Sequence, residues 1–479
     1  MKKILLLLTM FFIFMLLPTG CSAEEASLLD PNNPVEIRLW HYYTGALLNA
    51  FDMMVLEFNE TVGVERGIFV EAISFGNMGG VESNIHGSAL GEAGAMPLPN
   101  IFSSFPDTAY LPQRLGLLVD LDDYITQAQL DEYFAPFVER GRMGANNALR
   151  IFPVAMSAEV MMLNETDWHI FASENGFTYD NLQTMEGLAS VAQAYYHWSG
   201  GQAFWGRDAM ANMFIIGSKM FGTEIFEVHK VDGEFLATIN INEQAMRRFW
   251  DYYYTPFVSG YFAADANFRT DDLRVGDLLA FVGSTASAAF FPEDVTIDGT
   301  TRAIQSSVLP PPSFADATNV IVKQGAGKVV MLSTPEEEYA SVVFLRWLTE
   351  PTQNLHFSAA SGRLPVRVEA MDADLVRAAA EDVGISLTDV TYQTLHVAIE
   401  AIQTSELYST GAFVGAVEAR AILTHSLRNE ARAARAYVLE LIAADVSRED
   451  AIAQYTTDEK FYAWMESLSE ALVSAVTVN

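Results

Sequence analysis

The sequence at residues 35–60 reads VEIRLWHYYTGALLNAFDMMVLEFNE, and this stretch decides the fold class. Aliphatic residues alternate with other residues over its first five positions, which is typical of a β-strand with one buried face. Apolar residues then recur three or four positions apart, at Leu47, Phe51, Met54 and Phe58, which predicts an amphipathic helix. A strand followed at once by a helix is the first unit of an α/β sheet.

The same pattern of strands and helices continues along the chain. It predicts a strand at 68–73, a glycine-rich loop at 75–80, a short helix at 81–90 and a third strand at 99–102. Strands that alternate with helices form a parallel sheet, and ligands meet such sheets at the carboxyl ends of the strands. The sequence therefore predicts an α/β fold and directs attention to the loops that follow the strands.

The composition limits the functions that the chain can have. Half of its 479 residues are apolar, which is enough to form two substantial cores. The 28 lysines and arginines are outnumbered by 61 acidic residues, and the net charge of -33 would repel nucleic acids. Cys21 is the single cysteine, so we expect neither an intrachain disulfide nor a cysteine-rich metal site. We also expect no cofactor and no nucleic-acid partner.

The amino terminus has the layout of an export signal. Lys2 and Lys3 are followed by an almost unbroken apolar run at residues 4–17. This run is shorter than the about 18 to 20 residues that span a bilayer. No later segment approaches that length, so we expect the chain from residue 35 onward to lie outside the cytoplasm.

Residues 17–21, LPTGC, resemble a bacterial lipobox, in which the cysteine becomes the acylated amino terminus after cleavage. Pro18 departs from the usual pattern, which has leucine at that position. We expect 1–21 to be the signal peptide and lipobox, 22–34 to be a polar tether, and a lipid on Cys21 to anchor the protein. The alternative is ordinary signal-peptide cleavage nearby. In either case we expect the outer face of the cytoplasmic membrane, in an extracellular or periplasmic location.

The loop after the first strand is unusually aromatic. Trp40, Tyr42 and Tyr43 stand where loops normally carry polar residues. These rings could cap the hydrophobic core above the sheet. Aromatic rings with a polar edge also suit a sugar, which offers C–H faces for stacking and hydroxyls for hydrogen bonds. Both interpretations stay open from this loop alone.

Motifs further along the chain follow a familiar order. After the opening strand and helix, the sequence has PNIF at 99–102, LGLLVDLDDY at 115–124, GDLLAF at 276–281, QGAG at 324–327 and GRLPV at 362–366. Each motif is weak alone, but their order resembles family 1 extracellular solute-binding proteins of ABC importers, the family that includes maltose-binding protein. The resemblance covers about residues 35–370.

The resemblance implies an α/β fold of two discontinuous lobes joined by a hinge, as in type II periplasmic binding proteins. We expect lobe one to comprise 35–152 plus 312–358, and lobe two to comprise 153–311 plus 359–479. The solute would be enclosed between lobes that close around it. The tail after Met371 carries no family motif, but the apolar spacing near its end predicts a last helix that packs against a lobe.

The function implied by the resemblance is that of a receptor. It would capture a small-molecule carbohydrate and deliver it to the transmembrane permease subunits of an ABC importer, and we expect it to act as a monomer. No reaction would be catalysed. In agreement, the eight histidines never occur at the spacing of a helical zinc pair, and the chain has no G-x-S-x-G elbow.

Two alternatives stay open. One is a receptor for a phosphorylated polyol such as glycerol phosphate, whose charge Arg207 and Arg363 could neutralise. This alternative would require a positive cleft in a very acidic protein. The other is an extracellular polysaccharide hydrolase, which would need two convergent acids in the cleft.

Loops of the second lobe supply two groups of candidate ligand contacts. Residues 202–208, QAFWGRD, place Trp205 beside Arg207, and such a pair can bind a polyol by stacking and charged hydrogen bonds. The competing interpretation is a ring packed under a surface ion pair. Gly283 and Ser284 follow an apolar strand and suit close approach of a ligand to the backbone. A buried turn with satisfied hydroxyls explains them equally well.

Other candidates follow the strands of the first lobe or lie where the chain crosses between lobes. The expected ligand-binding residues are, in full, Trp40, Tyr42, Tyr43, Asn77, Asp107, Thr108, Ser157, Glu159, Trp205, Arg207, Gly283, Ser284, Gln324, Gly325 and Arg363. No residue is expected to be catalytic or to bind a metal.

Overall fold

The computed structural model describes residues 28–144, 146–297 and 299–477. The predicted signal peptide and lipobox, with Cys21, lie outside the described residues. Two main β-sheets, each covered by helices, form the described part of the chain. The α/β class predicted from the sequence is confirmed.

Within the described residues, the first sheet has five strands. Their spatial order is Ile68–Ser74, Val35–His41, Ile101–Ser104, Gly327–Val330 and Ile151–Phe152. The first three are parallel, as the alternation of strands and helices predicts. The fourth runs antiparallel to both of its neighbours. The parallel prediction therefore holds for the amino-terminal strands. The fourth strand is reached when the chain returns from the second sheet, whereas Ile151–Phe152 follows Ile101–Ser104 through short helices and a hairpin.

Helices cover both faces of the first sheet. Gly45–Glu60 and Pro335–Leu348 bury apolar side chains against one face, and Met78–Ala89 packs on the other. Phe51 and Phe58 of the predicted amphipathic helix are fully buried, which confirms its apolar face. The other helices of this part are Val62–Arg66, Pro106–Arg114, Gln127–Leu130, Ala135–Arg140 and Pro351–Ser361.

Two predicted boundaries shift. The helix expected at 81–90 is Met78–Ala89, because Asn77 caps it by accepting a hydrogen bond from the Gly80 amide at 2.8 Å. The end of the predicted glycine-rich loop is therefore helical. The third strand, Ile101–Ser104, begins two residues later than predicted.

The second sheet has four strands within the described residues. Their order is Ser306–Leu309, Glu159–Asn164, Ala280–Ser284 and Trp205–Arg207. Only the last pair is parallel. Small antiparallel hairpins accompany the sheets, with strands Arg142–Met143 and Ala148–Leu149, Phe226–Val231 and Glu234–Ile239, and Asp294–Ile297 and Thr300–Ala303.

Helices also cover the second sheet. Met210–Met220 lies in the core on one face, and Asp389–Thr404 packs against the edge strand from the other. The other helices of this part are Glu165–Asn175, Met185–Trp198, Glu243–Phe249, the π-helix Trp250–Tyr254, Thr255–Val258 and Arg269–Arg274.

The tail packs mainly around the second sheet. The prediction for the last helix, Asp458–Val476, is confirmed, since Phe461, Trp464, Leu468 and Leu472 are all buried. The remaining tail elements are Ala373–Asp382, the strand Glu406–Tyr408, Ala416–Ala443 and Arg448–Ala453. The strand pairs in parallel with Val320–Val322, so the tail is tied to a segment near the middle of the molecule.

Three segments of the described chain lie side by side where it passes between the two sheets. Ser157 and Gln324 exchange backbone hydrogen bonds of 2.7 and 3.1 Å, and Met156 and Leu364 exchange bonds of 3.1 and 2.8 Å. The Asn354 side chain fastens the first segment further by donating to the Val154 carbonyl at 2.8 Å. We call these three segments, which contain Met156 and Ser157, Gln324, and Leu364, the crossing segments.

The exact lobe boundaries stay a prediction. The predicted boundary at 358/359 falls inside the helix Pro351–Ser361, which packs against Gly45–Glu60 beside the first sheet.

Lys328 is a buried cation in the first sheet. It is 1 % exposed, its Nζ donates to the Ser103 hydroxyl at 2.7 Å, and it lies 4.7 Å from the centre of the Tyr43 ring. Among the described residues, no carboxylate lies within 4.0 Å of it. Burial, with a smaller contribution from Arg363, lowers the pKa of Lys328 from 10.5 to about 7. The nearby His41 stays neutral, because burial and Lys328 lower its pKa to about 3.

We expect Lys328→Met to stabilise the protein at pH 7 by on the order of a few kcal/mol, because it removes a desolvated charge. Between pH 7 and 10.5 the unfolded chain binds more protons at this position than the folded protein does, so the wild type gains stability as the pH rises. The advantage of the variant should therefore shrink towards pH 10. Urea unfolding from pH 6.5 to 10 measures this difference.

The exposed Lys460→Met serves as the matched control and should show a small effect that does not change with pH. A Lys328→Met effect that is equally constant over this range would show that the lysine is not desolvated.

Candidate binding site between the two sheets

A cavity of about 470 Å³ lies between the two sheets. Its first wall is the start of helix Pro106–Arg114, which follows strand Ile101–Ser104 of the first sheet. Its second wall is helix Met210–Met220, which follows strand Trp205–Arg207 of the second sheet. The cavity is therefore beyond the carboxyl ends of strands in both sheets, where α/β folds bind ligands.

The third wall comes from the tail. Lys323 directly follows strand Val320–Val322, which pairs with the tail strand Glu406–Tyr408. The Lys323 amide donates to the Tyr408 carbonyl at 3.1 Å, and this pairing places the tail beside the cavity. The tail residues that line the cavity are Ser409, Thr410, Val417, Arg420, Ala421, Thr424 and His425. Five of these lie on the long helix Ala416–Ala443, which closes this side.

Cations converge on the cavity although the chain is strongly acidic. Arg140, Lys323 and Arg420 line it, together with the carboxylates of Glu82 and Asp107. Arg420 Nε lies 3.1 Å from Asp107. Burial and the nearby Arg420 lower the pKa of Arg140 to about 10, and burial and Arg140 lower the pKa of Lys323. The cavity is therefore a positive region that is partly shielded from water.

A buried hydrogen-bond network lies directly behind one wall. Asn212, which lines the cavity, donates from Nδ2 to Glu159 at 3.0 Å and to the side-chain oxygen of Gln324 at 2.9 Å. Arg207 donates to the same Glu159 carboxylate and, from Nε, to the Ala209 carbonyl at 3.2 Å. The network connects the second sheet with a crossing segment, and its charges neutralise each other.

The structure brings some of the predicted residues together. Asp107, Thr108 and Gln324 line the cavity. Glu159 and Arg207 reach it only through Asn212. The charge of Arg207 was expected to be available for a phosphate, but this residue is 6 % exposed and pairs with Glu159. The expectation that Arg207 neutralises a ligand therefore does not fit this structure.

The two predicted stacking tryptophans lie in separate cores. Trp40 is 1 % exposed and contacts Phe75, with ring centres 5.1 Å apart. Trp205 has no exposed surface and packs against Phe262 at 4.8 Å. Neither lines the cavity between the sheets. This burial favours the core interpretation, which the sequence left open, because a covered ring offers no face to a sugar.

The neighbouring tyrosines and Arg363 lie on the first-sheet side, away from the cavity lining. Tyr43 is buried in the core. Tyr42 is half-buried, and the Arg363 guanidinium lies 5.9 Å from its ring centre. Arg363 therefore supplies no charge to the cavity wall.

The remaining predicted residues have structural partners. Ser284 accepts a hydrogen bond from the Ala286 amide at 3.1 Å and begins a 3₁₀-helix, as the interpretation as a satisfied turn predicts. Gly283 is a buried residue of the same strand. Asn77 caps its helix, and Ser157 and Gly325 belong to the crossing segments. As ligand contacts, these residues stay a prediction.

Sequence reasoning missed the cavity cations. Arg140 ends a short helix, Lys323 directly precedes the predicted Gln324, and Arg420 lies in the tail without a family motif. Basic residues are rare in this chain, and Lys323 is next to Gln324, which the sequence predicts as a ligand contact. These two facts together favour Lys323 as a ligand contact as well. Nothing local pointed to Arg140 or Arg420.

Because both tryptophans are core residues in this structure, we expect Trp40→Ala and Trp205→Ala each to cost about 3–5 kcal/mol of folding stability. Chemical unfolding measures this loss. Trp198→Ala is the matched control, since Trp198 is 40 % exposed and should lose much less. Wild-type stability combined with lost ligand binding would instead assign the two tryptophans to the binding site.

No helix in the described part of the chain has both the length and the apolar character needed to cross a bilayer. Within the same residues, no group of three or more histidine, cysteine or carboxylate side chains is arranged to hold a metal ion.

Several solved structures are similar to this fold. UgpB from Mycobacterium tuberculosis, in complex with glycerophosphocholine, has a TM-score of 0.68 and 18 % identity, covering 93 % of this chain and 100 % of its own. The cyclic α-maltosyl-1,6-maltose binding protein from Arthrobacter globiformis has a TM-score of 0.63 and 18 % identity, covering 92 % and 100 %. The maltotriose binding protein from Thermus thermophilus has a TM-score of 0.56 and 15 % identity, covering 92 % and 100 %.

At these identities the likeness shows the fold alone. It supports the periplasmic-binding-protein-like class that the sequence predicted. A comparison with curated protein sequences gives no significant match.

The sequence profile of bacterial extracellular solute-binding proteins matches residues 57–382, which is more than half of the chain. This match confirms the resemblance inferred from the order of the motifs, and it identifies a binding protein rather than an enzyme. The chain belongs to the family of bacterial extracellular solute-binding proteins.

Proposed function

We propose that this protein is the receptor of an ABC-type importer, and that it captures a small carbohydrate or a related polyol in the cavity between the two sheets. The observation that carries this proposal is the cavity itself, whose walls come from both sheets and from the tail. A solute held there contacts both halves of the molecule at once. The receptor acts as a monomer and delivers the solute to the permease subunits.

The crossing segments act as the hinge of this receptor. Their backbone hydrogen bonds run beside the cavity, and Gln324 belongs both to a crossing segment and to the cavity wall. Because only the closed state lets one solute contact both walls, solute binding shifts the population towards closure. The permease can then distinguish loaded from empty receptor by shape.

The ligands of proteins with a similar fold support the proposal of a small, hydroxyl-rich solute. Two of those described above are binding proteins for α-linked glucose oligosaccharides, and one is in complex with glycerophosphocholine. Hydroxyls of such a solute match the neutral hydrogen-bonding groups of the wall, among them Thr108, Asn212, Gln324 and Thr424.

A phosphorylated polyol such as glycerol phosphate is the second candidate. The positive cleft that it requires exists here, although the cations are Arg140, Lys323 and Arg420 rather than Arg207 and Arg363. The hydrolase alternative is not retained, because the family consists of binding proteins. The paired state of Asp107 with Arg420 agrees with this, since a salt-bridged carboxylate is a poor general acid.

A lipid on Cys21 holds the receptor at the outer face of the cytoplasmic membrane. The support is the lipobox-like LPTGC at residues 17–21, after an apolar run too short for a stable membrane span. Of the predicted tether at 22–34, Leu29 is buried in the core beside the first sheet, so the tether is the part before it. This part would place the two sheets within reach of a permease in the same membrane.

We expect a bound solute both to raise the melting temperature and to lower the radius of gyration. A ligand at about 100 times its dissociation constant adds about 2.7 kcal/mol of stability. A thermal-shift screen of neutral oligosaccharides and polyol phosphates identifies the solute, and small-angle X-ray scattering then measures compaction.

We expect Gln324→Ala to weaken binding about tenfold, because it removes a hydrogen-bonding group from the wall and leaves Asn212 without one partner.

The exposed Gln183→Ala, remote from the cavity lining, is the matched control and should bind as the wild type does. A solute that binds at saturation without any compaction would contradict the hinge-closing receptor.

We expect Cys21→Ala to release the protein from the membrane fraction into the medium or the periplasm, because the acylation site is lost. The variant should keep the melting temperature of the wild type. Fractionation followed by immunoblotting measures the distribution. Retention of Cys21→Ala in the membrane fraction would show that the lipid-anchor prediction is wrong.

A further inference from the structure

Two cavities meet in the cleft rather than one. Beside the cavity of about 470 Å³ lies a second of about 230 Å³. The residues that line both are Pro106, Arg140, Lys323, Ser409 and Thr410. The second cavity alone is smaller than the roughly 300–1,000 Å³ of typical ligand sites, so it serves best as a second compartment of one site.

Charge in this two-compartment site concentrates at the junction. Arg420, on the larger side, lies 3.1 Å from Asp107. Arg142, on the smaller side, lies 2.9 Å from Asp122 and 3.4 Å from Glu139. Each of these outer cations is therefore neutralised by its own carboxylate.

The two junction cations have no such partner. Among the described residues, no carboxylate oxygen lies within 4.0 Å of the Arg140 guanidinium or the Lys323 ammonium. Both side chains are half-buried, so solvent compensates their charge only in part. Burial and then a neighbouring arginine lower the pKa of each, whereas Asp107 offsets this effect on Arg140, and Glu139 that on Lys323, only in part. An anion bound at the junction would offset the desolvation cost of the two cations and their mutual repulsion.

The two ends of the site offer mainly neutral hydrogen-bonding groups. Thr108, Asn212 and Thr424 lie on the larger side. Asn147 and residues 409–412 line the smaller side. Tyr110 lines it too, but its hydroxyl is already hydrogen-bonded to the Phe235 backbone. Hydroxyls are the natural partners of such groups. Outside the junction, the charged lining residues Arg420 and Arg142 are paired with carboxylates, and Glu82 adds one carboxylate on the larger side. The unpaired positive charge is therefore at the junction, between two ends that also offer neutral polar groups.

We propose that the solute carries its negative charge in its interior, on a single anionic group with a hydroxyl-bearing segment on each side, and that Arg140 and Lys323 bind this group. The shared chemistry is that of a phosphodiester joining two polyols or of a uronate within a short oligosaccharide. A terminal phosphate monoester would leave the smaller compartment empty. This inference rests on the proposed receptor function and narrows its substrate class.

Isothermal titration calorimetry of the full mature protein, released by Cys21→Ala, tests the inference with four probes. Glycerophosphoglycerol and a trisaccharide whose middle residue is its single uronate carry one internal anion, glycerol 3-phosphate carries a terminal one, and maltotriose is neutral. We expect an internal-anion probe to bind at least about tenfold more tightly than the other two, and its affinity to fall as salt rises. The internal-anion probe with the higher affinity shows whether the charged group of the solute is a phosphodiester or a uronate.

Arg140→Gln and Lys323→Gln should each weaken that probe about tenfold or more, since each removes a charged hydrogen bond. Lys323→Arg keeps the charge and should retain most of the affinity, which guards against a folding defect. Arg66→Gln is the matched control, because Arg66 is exposed and outside the cavity linings, and it should bind as the wild type does.

Tighter binding of glycerol 3-phosphate than of both internal-anion probes would overturn the inference. Maltotriose binding that is unaffected by Arg140→Gln and Lys323→Gln, or binding by none of the four probes, would overturn it as well. The proposed receptor function has a different test. It is contradicted only if no solute of the thermal-shift screen makes the protein more compact.

Discussion

The hydrogen bonds among the three crossing segments are the constraint on which the rest of the structure depends. They hold Met156 and Ser157 between Leu364 on one side and Gln324 on the other. In the described part of the chain the two sheets share no strand, so these bonds help to set the distance and orientation between them. The cavity exists because the carboxyl ends of strands from both sheets face each other across this narrow connection. Other contacts also join the two halves, among them the ion pair of Arg420 with Asp107 and the hydrogen bonds of the Tyr110 hydroxyl with the Phe235 backbone.

Charge is distributed around that connection in two different ways. The buried charges of Glu159 and Arg207 are paired, whereas the buried Lys328 has no carboxylate partner in the described part of the chain and its pKa is lowered by burial instead. At the cavity junction, Arg140 and Lys323 stay unpaired although acidic residues outnumber basic ones more than twofold. A protein with so many carboxylates could easily have paired them. Their isolation is therefore informative about the solute.

The tail has a larger role than its lack of family motifs suggests. Strand Glu406–Tyr408 pairs with Val320–Val322 and so reaches the middle of the molecule. This pairing positions the residues after it, and helix Ala416–Ala443 then closes the cavity with Arg420 and Thr424. Both elements lie beyond the segment that matches the family. Part of the wall is therefore supplied by residues outside the matched segment.

The sequence by itself determined the α/β class, the family, the opening strand and helix, and the apolar face of the last helix. These features follow from short-range periodicity and from the order of motifs, both of which can be read along the chain. Only the tertiary structure decided that Phe75 and Phe262 cover Trp40 and Trp205, and that Arg140, Lys323 and Arg420 share one cavity. Burial and charge clustering depend on contacts between residues that are far apart in the chain, and local pattern carries no information about such contacts.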